Sequence, residues 1–301
     1  MSQPGSIAVI LNVSAGTARK HTNLDTDVAD LFRASGCDAE IVVLRPGENP
    51  ADAARQASAR ASIVVAGGGD GTVSGVVAGL FGSEAALGVL PLGTLNHFAR
   101  DLGIPADLRD AVAVVAARHI ARVDVGQVND RVFINNCSIG LYPNIVEERE
   151  RLRREGHAKW PAMAIATLRV LRRYRGVSVR IGADGVQRTW QTPFVFVGNN
   201  EYAIEGRHLG ARARLDRGKL FVYLTPRART RDLPMLLARA LAGRAGESGA
   251  FEIVAATEAV IDTRAARRIR VAVDGEVVPM IAPLRFRAHP GALPVVVPRL
   301  A

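Results

Sequence analysis

The chain has 301 residues, of which 48% are hydrophobic, and its formal net charge at pH 7 is +10. This length suits two domains of ordinary size, and the hydrophobic content excludes an intrinsically disordered protein. No apolar run approaches the roughly 18–20 residues that a membrane-spanning helix needs, and the first residues lack the pattern of a secretory signal, so we expect a cytoplasmic protein. The two cysteines, Cys37 and Cys137, lie in separate segments, so the sequence contains neither a zinc pattern nor a disulfide framework.

The positive charge comes mainly from arginine, because only three of the 39 basic residues are lysines. Such a bias can reflect genome composition alone. It also suits attraction to an anionic surface, which can be a membrane, a nucleic acid or a nucleotide. Few aromatic residues lie between the arginines, which disfavours a stacking surface for single-stranded nucleic acid, and we expect no nucleic-acid partner.

The first part of the chain, up to residue 122, alternates strand and helix patterns and predicts an open parallel α/β sheet. Apolar runs predict strands at residues 6–11, 40–44, 63–66 and 87–90, the last stopped by Pro91. Periodic or alanine-rich runs predict helices at residues 24–34, 50–61 and 108–118.

The most distinctive segment is AGGGDGT at residues 66–72, which follows a buried strand and precedes a helix of small residues. Glycines let the backbone approach an anion closely, and N–H groups at a helix N-terminus point toward it. The carboxylate of Asp70 is tolerable beside phosphates when a divalent cation lies between them. A tight turn without a ligand is the alternative, which three consecutive glycines make less favoured. The spacing matches neither a Walker A loop nor the dinucleotide fingerprint.

A second segment, PLGTLNHFARDLGIP at residues 91–105, repeats the order of strand end, Gly-Thr and helix. Ligands of open α/β sheets bind outside the carboxyl ends of the strands. Asn12, the loop at 67–72 and the loop at 93–96 all follow predicted strands, so we expect them to meet in one crevice.

Beyond residue 122, short alternating segments with Asp-Gly and Asn-Asp turns predict a second, mostly antiparallel β domain. Two helical stretches interrupt it, at residues 146–175, broken by Gly156 and Pro161, and at residues 231–242. The predicted strands lie at residues 123–128, 131–135, 177–181, 192–197, 219–224, 251–255 and 268–273.

Together, GGGDGT and PLGTLNHFARDLGIP resemble the diacylglycerol kinase catalytic family, which includes sphingosine and ceramide kinases and soluble bacterial lipid kinases. Shorter segments at 123–126, 133–136, 138–141, 198–200, 274–276 and 290–293 extend the resemblance over essentially the whole chain. It implies an α/β nucleotide-binding domain at residues 1–122 and an antiparallel β-sandwich lipid-substrate domain at residues 123–284. Residues 285–301 would return to the first domain, and the nucleotide would lie between the two domains.

The resemblance implies an ATP-dependent lipid kinase that uses Mg²⁺, with a lipid substrate and an anionic membrane surface as partners. Phosphoryl transfer depends mainly on positioning and charge neutralisation, so backbone donors and Mg²⁺ suffice without a P-loop lysine. Asp70 would organise Mg²⁺ and its waters. Asn12 and Thr94 would contact the nucleotide, and Asn96 would brace the second loop. The remaining residues implied to bind the cofactor are Gly67, Gly68, Gly69, Gly71, Thr72 and Gly93.

The segment Asp274-Gly275-Glu276 ends an alternating strand, and Asp-Gly by itself indicates a hairpin turn. With the resemblance, Glu276 is the predicted base that accepts the proton of the lipid hydroxyl, and Asp274 is its partner or replacement. A carboxylate can serve in this way when it lies within hydrogen-bond reach of that hydroxyl.

Two departures from the family pattern affect the expectations. The family often has Asn-Pro where this chain has Asn12-Val13, which leaves the first loop less restricted. Many bacterial members carry Asp-Asp-Gly or Asn-Asp-Gly near a structural Mg²⁺ site, where this chain has Asp216-Arg217-Gly218, with Arg217 at the matched carboxylate position. Because a guanidinium cannot ligate a cation, we expect that metal site to be empty or altered, with an Asp216–Arg217 ion pair as one replacement.

Several alternatives stay open at this point. Basic and apolar residues are mixed over 149–175, which suits binding at a bilayer surface, although a core-packing helix with a solvated arginine face gives the same pattern. The acceptor can be diacylglycerol, a sphingoid base, a phosphatidylglycerol-like lipid or a polyprenol, and a homodimer is open. Other functions are a kinase of a soluble substrate such as NAD and a nucleotide-binding regulator without turnover.

Overall fold

A computed structural model describes residues 6–13, 23–173, 177–183, 186–203, 210–225, 232, 235, 251–263 and 267–299. The chain divides into two compact units. The first comprises the segments 1–125, 131–134 and 289–301, and the second comprises 126–130 and 135–288. None of the described helices combines the length and the apolar composition needed to cross a membrane.

The first unit contains a parallel sheet flanked by helices. Its sheet has the order β2–β1–β3–β4, and every neighbouring pair is parallel. Near the C-terminus of the chain, Val295 pairs in parallel with Leu87 of β4. The strands are β1 (Ile7–Leu11), β2 (Ala39–Val43), β3 (Ile63–Gly68) and β4 (Ala86–Pro91), followed by β5 (Ile120–Val128) and β6 (Arg131–Phe133). Residues 126–128 of β5 belong to the second unit. The helices are α1 (Leu24–Ala34), α2 (Pro50–Ser58), α3 (Asp70–Leu80), α4 (His97–Asp101) and α5 (Leu108–Ala117).

Local sequence signals explain where these elements begin. The side chain of Asn49 accepts a hydrogen bond of 3.0 Å from the backbone N–H of Ala51, and Pro50 occupies the first helical position of α2. Asp107 caps α5 in the same way, because its Oδ1 accepts bonds of 2.9 and 3.1 Å from the backbone N–H groups of Arg109 and Asp110. Every residue of β1, β3 and β4 is buried, which is the expected pattern for a central parallel strand.

Two glycines bring α3 close to α2. A Cβ on Gly79 would lie 2.3 Å from the carbonyl oxygen of Ala51 and 2.7 Å from Cβ of Ala54. A Cβ on Gly75 would lie 2.9 Å from Cβ of Pro50. Helix α3 begins at Asp70, directly after Gly69. The packing of α3 against α2 therefore fixes the position of the helix that follows the glycine segment.

The second unit contains a six-stranded antiparallel sheet with the order β12–β11–β10–β7–β14–β15. In addition, β13 pairs with β8 and with the first part of β16, and β8 pairs with β9, all antiparallel. Helices α6 (Leu141–Arg154) and α7 (Lys159–Arg173) follow β7 (Asn136–Gly140). The other strands are β8 (Val177–Ala183), β9 (Val186–Thr192), β10 (Phe194–Asn199), β11 (Leu220–Leu224), β12 (Glu252–Ala256), β13 (Glu258–Thr263), β14 (Arg268–Val273), β15 (Glu276–Ile281) and β16 (Leu284–Val296). Residues 289–296 of β16 belong to the first unit.

The predicted class, a parallel α/β domain followed by an antiparallel β domain, is confirmed. Several details differ from the prediction. Strand β4 continues through Pro91, and the chain between α6 and α7 turns at Gly156, whose φ is 92°. Pro161 does not break a helix, because it lies in the first turn of α7, where a missing N–H costs nothing. The predicted helix at 231–242 lies outside the described residues apart from 232 and 235. The strands that the sequence did not predict are β7, β9, β13, β15 and β16.

The packing of α2 on α3 predicts the effect of a larger side chain. Gly79→Val should lower the free energy of unfolding by about 2–3 kcal/mol, because the new side chain has to displace the backbone of Ala51. Ala78→Val adds the same residue to an exposed position of the same helix and should cost about 0.5 kcal/mol. Urea unfolding of both variants measures the difference, and equal costs would contradict this packing.

Candidate active site

The glycine segment of the first unit forms the end of β3 and the start of α3. Gly67 and Gly68 are the last residues of β3, Gly69 caps α3, and Asp70 is its first residue. A Cβ on Gly68 would lie 2.5 Å from Oγ1 of Thr72, so the turn admits no side chain there. Since the first N–H groups of a helix have no acceptor within it, this helix end presents backbone donors.

The second loop lies against the first. A Cβ on Gly93 would lie 2.5 Å from Cα of Gly69, and a Cβ on Gly69 would lie 3.3 Å from Cα of Gly93. Asn96 holds the second loop in place from a left-handed conformation, with φ 49° and ψ 47°. Its Oδ1 accepts a bond of 2.9 Å from the N–H of Gly93, and its Nδ2 donates bonds of 3.1 Å to the carbonyl oxygens of Pro91 and Gly93.

Asn12 joins the end of β1 to the same place. Its backbone N–H donates to the carbonyl oxygen of Gly67 over 2.8 Å, and its Nδ2 donates to Oγ1 of Thr72 over 3.1 Å. Thr72 is only 5% exposed, whereas Thr94 is exposed. The structure thus brings together the two loops and Asn12, as expected from their positions at strand ends, while their roles in binding stay predictions.

The donor set of these loops fits a phosphate chain with a cation. The glycine positions leave a backbone cradle that a Cβ would fill, and the helix end favours negative charge. Asp70, half-buried at the same helix end, adds a negative charge that phosphates alone would oppose. A hard divalent cation, which prefers carboxylate and phosphate oxygens, resolves that conflict.

The second unit carries the predicted base on a hairpin turn. Asp274 and Gly275 have φ angles of 46° and 88°, and Val273 pairs with Glu276, so the turn is the two-residue kind with both central residues left-handed. Oδ1 of Asp274 accepts bonds of 2.8 and 3.0 Å from the N–H groups of Asn135 and Asn136. Glu276 is exposed at the first position of β15. Asp274 therefore anchors the turn, and Glu276 is the more accessible carboxylate.

Cys137 lies beside this anchor in β7. Complete burial and, secondarily, the charge of Asp274 raise the pKa of its thiol well above the usual value. The thiol is therefore protonated and serves as a buried apolar group.

The segment with the altered metal pattern forms ion pairs that differ from the predicted one. Asp216 pairs with Arg214 through contacts of 2.9 and 3.0 Å, and this guanidinium lowers the pKa of the Asp216 carboxyl. Arg217 pairs with Glu201. The predicted Asp216–Arg217 pair is therefore wrong, because each residue has a different partner. Within the described ranges, no group of three or more His, Cys, Asp or Glu side chains gathers closely enough to hold a metal ion.

The sequence did not predict an aromatic cavity in the second unit, with a volume of about 420 Å³. Phe196 makes edge contacts with the rings of Tyr202 and Tyr223, at centroid distances of 5.2 and 5.6 Å. Burial raises the pKa of Tyr223 to about 12, so its hydroxyl stays neutral. The signal in the sequence is the spacing of two between Phe194 and Phe196, which places both on one face of β10.

Comparison with known proteins agrees with this architecture. Residues 6–128 match the model of the diacylglycerol kinase catalytic domain, and residues 138–297 match that of the YegS C-terminal NAD kinase beta sandwich-like domain. These matches show that the chain belongs to the diacylglycerol kinase family, a family of kinases, which implies the use of ATP. The predicted family and the predicted β-sandwich class are therefore confirmed.

Individual relatives support the same assignment. The chain is 35% identical over 244 residues to a Pseudomonas aeruginosa protein named "Probable lipid kinase YegS-like", with 78% of this chain and 76% of the relative covered. It is 25% identical over 237 residues to a diacylglycerol kinase of Staphylococcus saprophyticus, with coverage of 78% and 77%. The crystal structure of a diacylglycerol kinase from Bacillus anthracis has the same fold, with a TM-score of 0.71, 20% identity, and coverage of 98% of this chain and 97% of that one.

The bracing of the second loop leads to a prediction about Asn96. Asn96→Gly keeps the left-handed backbone and loses three hydrogen bonds, which should cost about 1–2 kcal/mol of unfolding free energy. Asn96→Ala should cost about 1 kcal/mol more, because alanine disfavours a positive φ. Urea unfolding of both variants checks the order, and an alanine variant at least as stable as the glycine variant would contradict it.

Proposed function

We propose that the protein is an ATP- and Mg²⁺-dependent lipid kinase that transfers the γ-phosphate to a lipid hydroxyl, diacylglycerol-like or sphingoid, at a membrane surface. The observation that carries the proposal is the contact between the glycine loops at Gly69 and Gly93, which leaves a backbone cradle beside the carboxylate of Asp70. That combination suits nucleotide phosphates with a cation. Kinase family membership supports the transfer reaction.

The residues of this chain have distinct roles in the proposed reaction. Backbone N–H groups at the start of α3 bind the phosphates and hold them in line with the acceptor. Asp70 would hold Mg²⁺ through its waters, and the cation would supply charge neutralisation for the phosphates. Asn12 and Thr94 contact the nucleotide. Glu276 accepts the proton from the lipid hydroxyl as the new phosphate ester forms, and Asp274 keeps the turn in place.

The aromatic cavity supports a lipid rather than a soluble acceptor. Its lining includes Phe194, Phe196 and Phe251, and such a surface favours a hydrocarbon chain over the charged groups of NAD. NAD is the soluble acceptor to compare with the lipids, because residues 138–297 match an NAD kinase beta sandwich-like domain.

A basic groove supports action at a membrane surface. It lies between α6 and the β14–β15 hairpin, has a volume of about 780 Å³, and is lined by Arg154 and Arg268 among others. The side chains of these two arginines make no ion pair or hydrogen bond within the described residues. Most neighbouring arginines are paired: Arg149 with Glu150, Arg151 and Arg169 with Glu148, and Arg270 with Glu147.

The two unpaired cations would therefore attract the phosphates of an anionic bilayer such as the cytoplasmic leaflet. Three residues of its lining, Arg149, Glu150 and Arg154, belong to the region 149–175, whose mixed basic and apolar composition suited a bilayer surface. Parts of that region, including the side chains of Lys159, Trp160 and residues 171–175, lie outside the described residues.

The transfer reaction is tested by phosphorylation of lipids in mixed micelles with labelled ATP. The acceptors are diacylglycerol, a sphingoid base, phosphatidylglycerol and a polyprenol, with NAD as the soluble control. Glu276→Gln should lower kcat by about 10²–10⁴-fold, because the amide cannot accept the proton. Asp70→Asn should raise the Mg²⁺ concentration needed for half-maximal rate.

Glu258→Gln is the matched control for the base, since Glu258 is an exposed carboxylate that pairs with Arg287. Its kcat should equal that of the wild type. Label on NAD alone would assign the protein to the soluble-substrate kinases. Bound ATP without transfer to any acceptor would favour a nucleotide-binding regulator.

Membrane contact is tested by co-sedimentation with phosphatidylcholine vesicles, with and without phosphatidylglycerol. The double variant Arg154→Gln/Arg268→Gln should lower the partition coefficient on anionic vesicles by about 30-fold, since each arginine near such a surface contributes about fivefold. Arg153→Gln/Arg287→Gln removes the same charge outside the groove. An equal loss in both double variants would show that binding depends on the total charge of the protein and not on the two arginines of the groove.

A further inference from the structure

The position of Glu276 depends on contacts of Asp274, two residues before it. Oδ1 of Asp274 accepts the N–H groups of Asn135 and Asn136, and the N–H of Asp274 donates to the carbonyl oxygen of Asn136 over 2.8 Å. Three hydrogen bonds thus tie the turn to the segment 135–136. Any shift of this segment moves the start of β15, where Glu276 lies.

The segment is in turn held by a buried guanidinium. Nη2 of Arg212 donates to Oδ1 of Asn135 over 2.7 Å, and its Nη1 donates to the carbonyl oxygen of Asn199 over 3.1 Å. The N–H of Asn199 donates to the carbonyl oxygen of Asn135 over 2.9 Å, which closes the ring of contacts. Arg212 thus links the end of β10 to the residues that precede β7.

Burying the cationic side chain of Arg212 costs more desolvation free energy than burying an apolar side chain that fills the same space. Its side chain is 4% exposed, and its guanidinium lies 5.3 Å from the centroid of the Tyr202 ring. An apolar side chain of similar size would avoid the desolvation of a cation. What the guanidinium adds is a rigid fork that fixes two acceptors at once, which a lysine ammonium does not reproduce.

We infer that Arg212 is a positioning residue for phosphoryl transfer, because it fixes Asn135 and through Asn135 the turn that carries Glu276. This inference rests on the proposed function of Glu276 as the base. It acts through a chain of contacts within the second unit, from Arg212 to Asn135, from Asn135 to Asp274, and along the turn to Glu276. Arg212 itself touches no reacting atom.

The test compares Arg212→Lys with Arg214→Lys, using diacylglycerol micelles and ATP. Arg214 lies two residues further along, is exposed and pairs with Asp216, so the same substitution there leaves the network intact. Arg212→Lys should lower kcat by about 10–100-fold, because a misplaced base loses alignment with the hydroxyl. The KM for ATP should change by less than about twofold, and Arg214→Lys should match the wild type.

Amide hydrogen exchange supplies a readout that does not require activity. In Arg212→Lys, the amides of Asn135 and Asn136 should exchange at least about tenfold faster than in the wild type, since the segment that holds Asp274 is loosened. Asn135→Ala removes the acceptor and keeps the backbone N–H that binds Asp274. It should show the same loss of kcat, and the double variant should lose no more than either single variant, because both break one link.

The outcomes separate this inference from the proposed function. A wild type that phosphorylates no acceptor overturns the proposed function and the inference together. A wild type that transfers phosphate, with Arg212→Lys and Asn135→Ala both within about twofold of its kcat, overturns the inference alone. A raised KM for ATP with unchanged kcat also overturns it. If Arg212→Lys does not fold, the kcat of Asn135→Ala compared with that of the wild type tests the inference in its place.

Discussion

The close approach of two backbone segments at the carboxyl edge of the parallel sheet is the constraint on which the site of the first unit depends. A Cβ on Gly93 would lie 2.5 Å from Cα of Gly69, so the second loop cannot carry a side chain at this point. At this contact the two loops present backbone and no side chains, and the start of α3 adds backbone N–H donors beside it. The Asp70 carboxylate at the same helix end fits a phosphate best when a hard divalent cation lies between them, as in the proposed function.

The parallel half of the fold could be read from the sequence because its signals are local. The helix predicted at 24–34 is α1 (Leu24–Ala34), and the strand predicted at 63–66 is the buried start of β3 (Ile63–Gly68). Each element there combines an apolar pattern with a turn or a cap, and neither depends on distant residues. The carboxyl edge follows from the order of the elements, so the sequence alone places Asn12 and both glycine loops at one edge of the sheet.

The antiparallel half was predicted less completely because its strands depend on partners far away in the sequence. Strand β16 contains Pro290 and Pro294, which argue against a strand locally, yet it pairs with β13 and with β4. The bond from Arg212 to Asn135 spans 77 residues, and no local pattern marks either residue. The folded sheet brings these distant residues together, so the network around Asn135 is a property of the fold and not of a local sequence pattern.

The β14–β15 turn shows why the residue type alone does not assign a role. Asp274 and Glu276 are both carboxylates, and each is chemically able to accept a proton. Oδ1 of Asp274 already accepts two backbone N–H groups, and protonation there would weaken the bonds that hold the turn. Glu276 is exposed, so proton uptake at this residue leaves those two bonds intact. The turn therefore separates the anchor from the predicted base by two residues, and the position of Glu276 depends on the partners of the anchor.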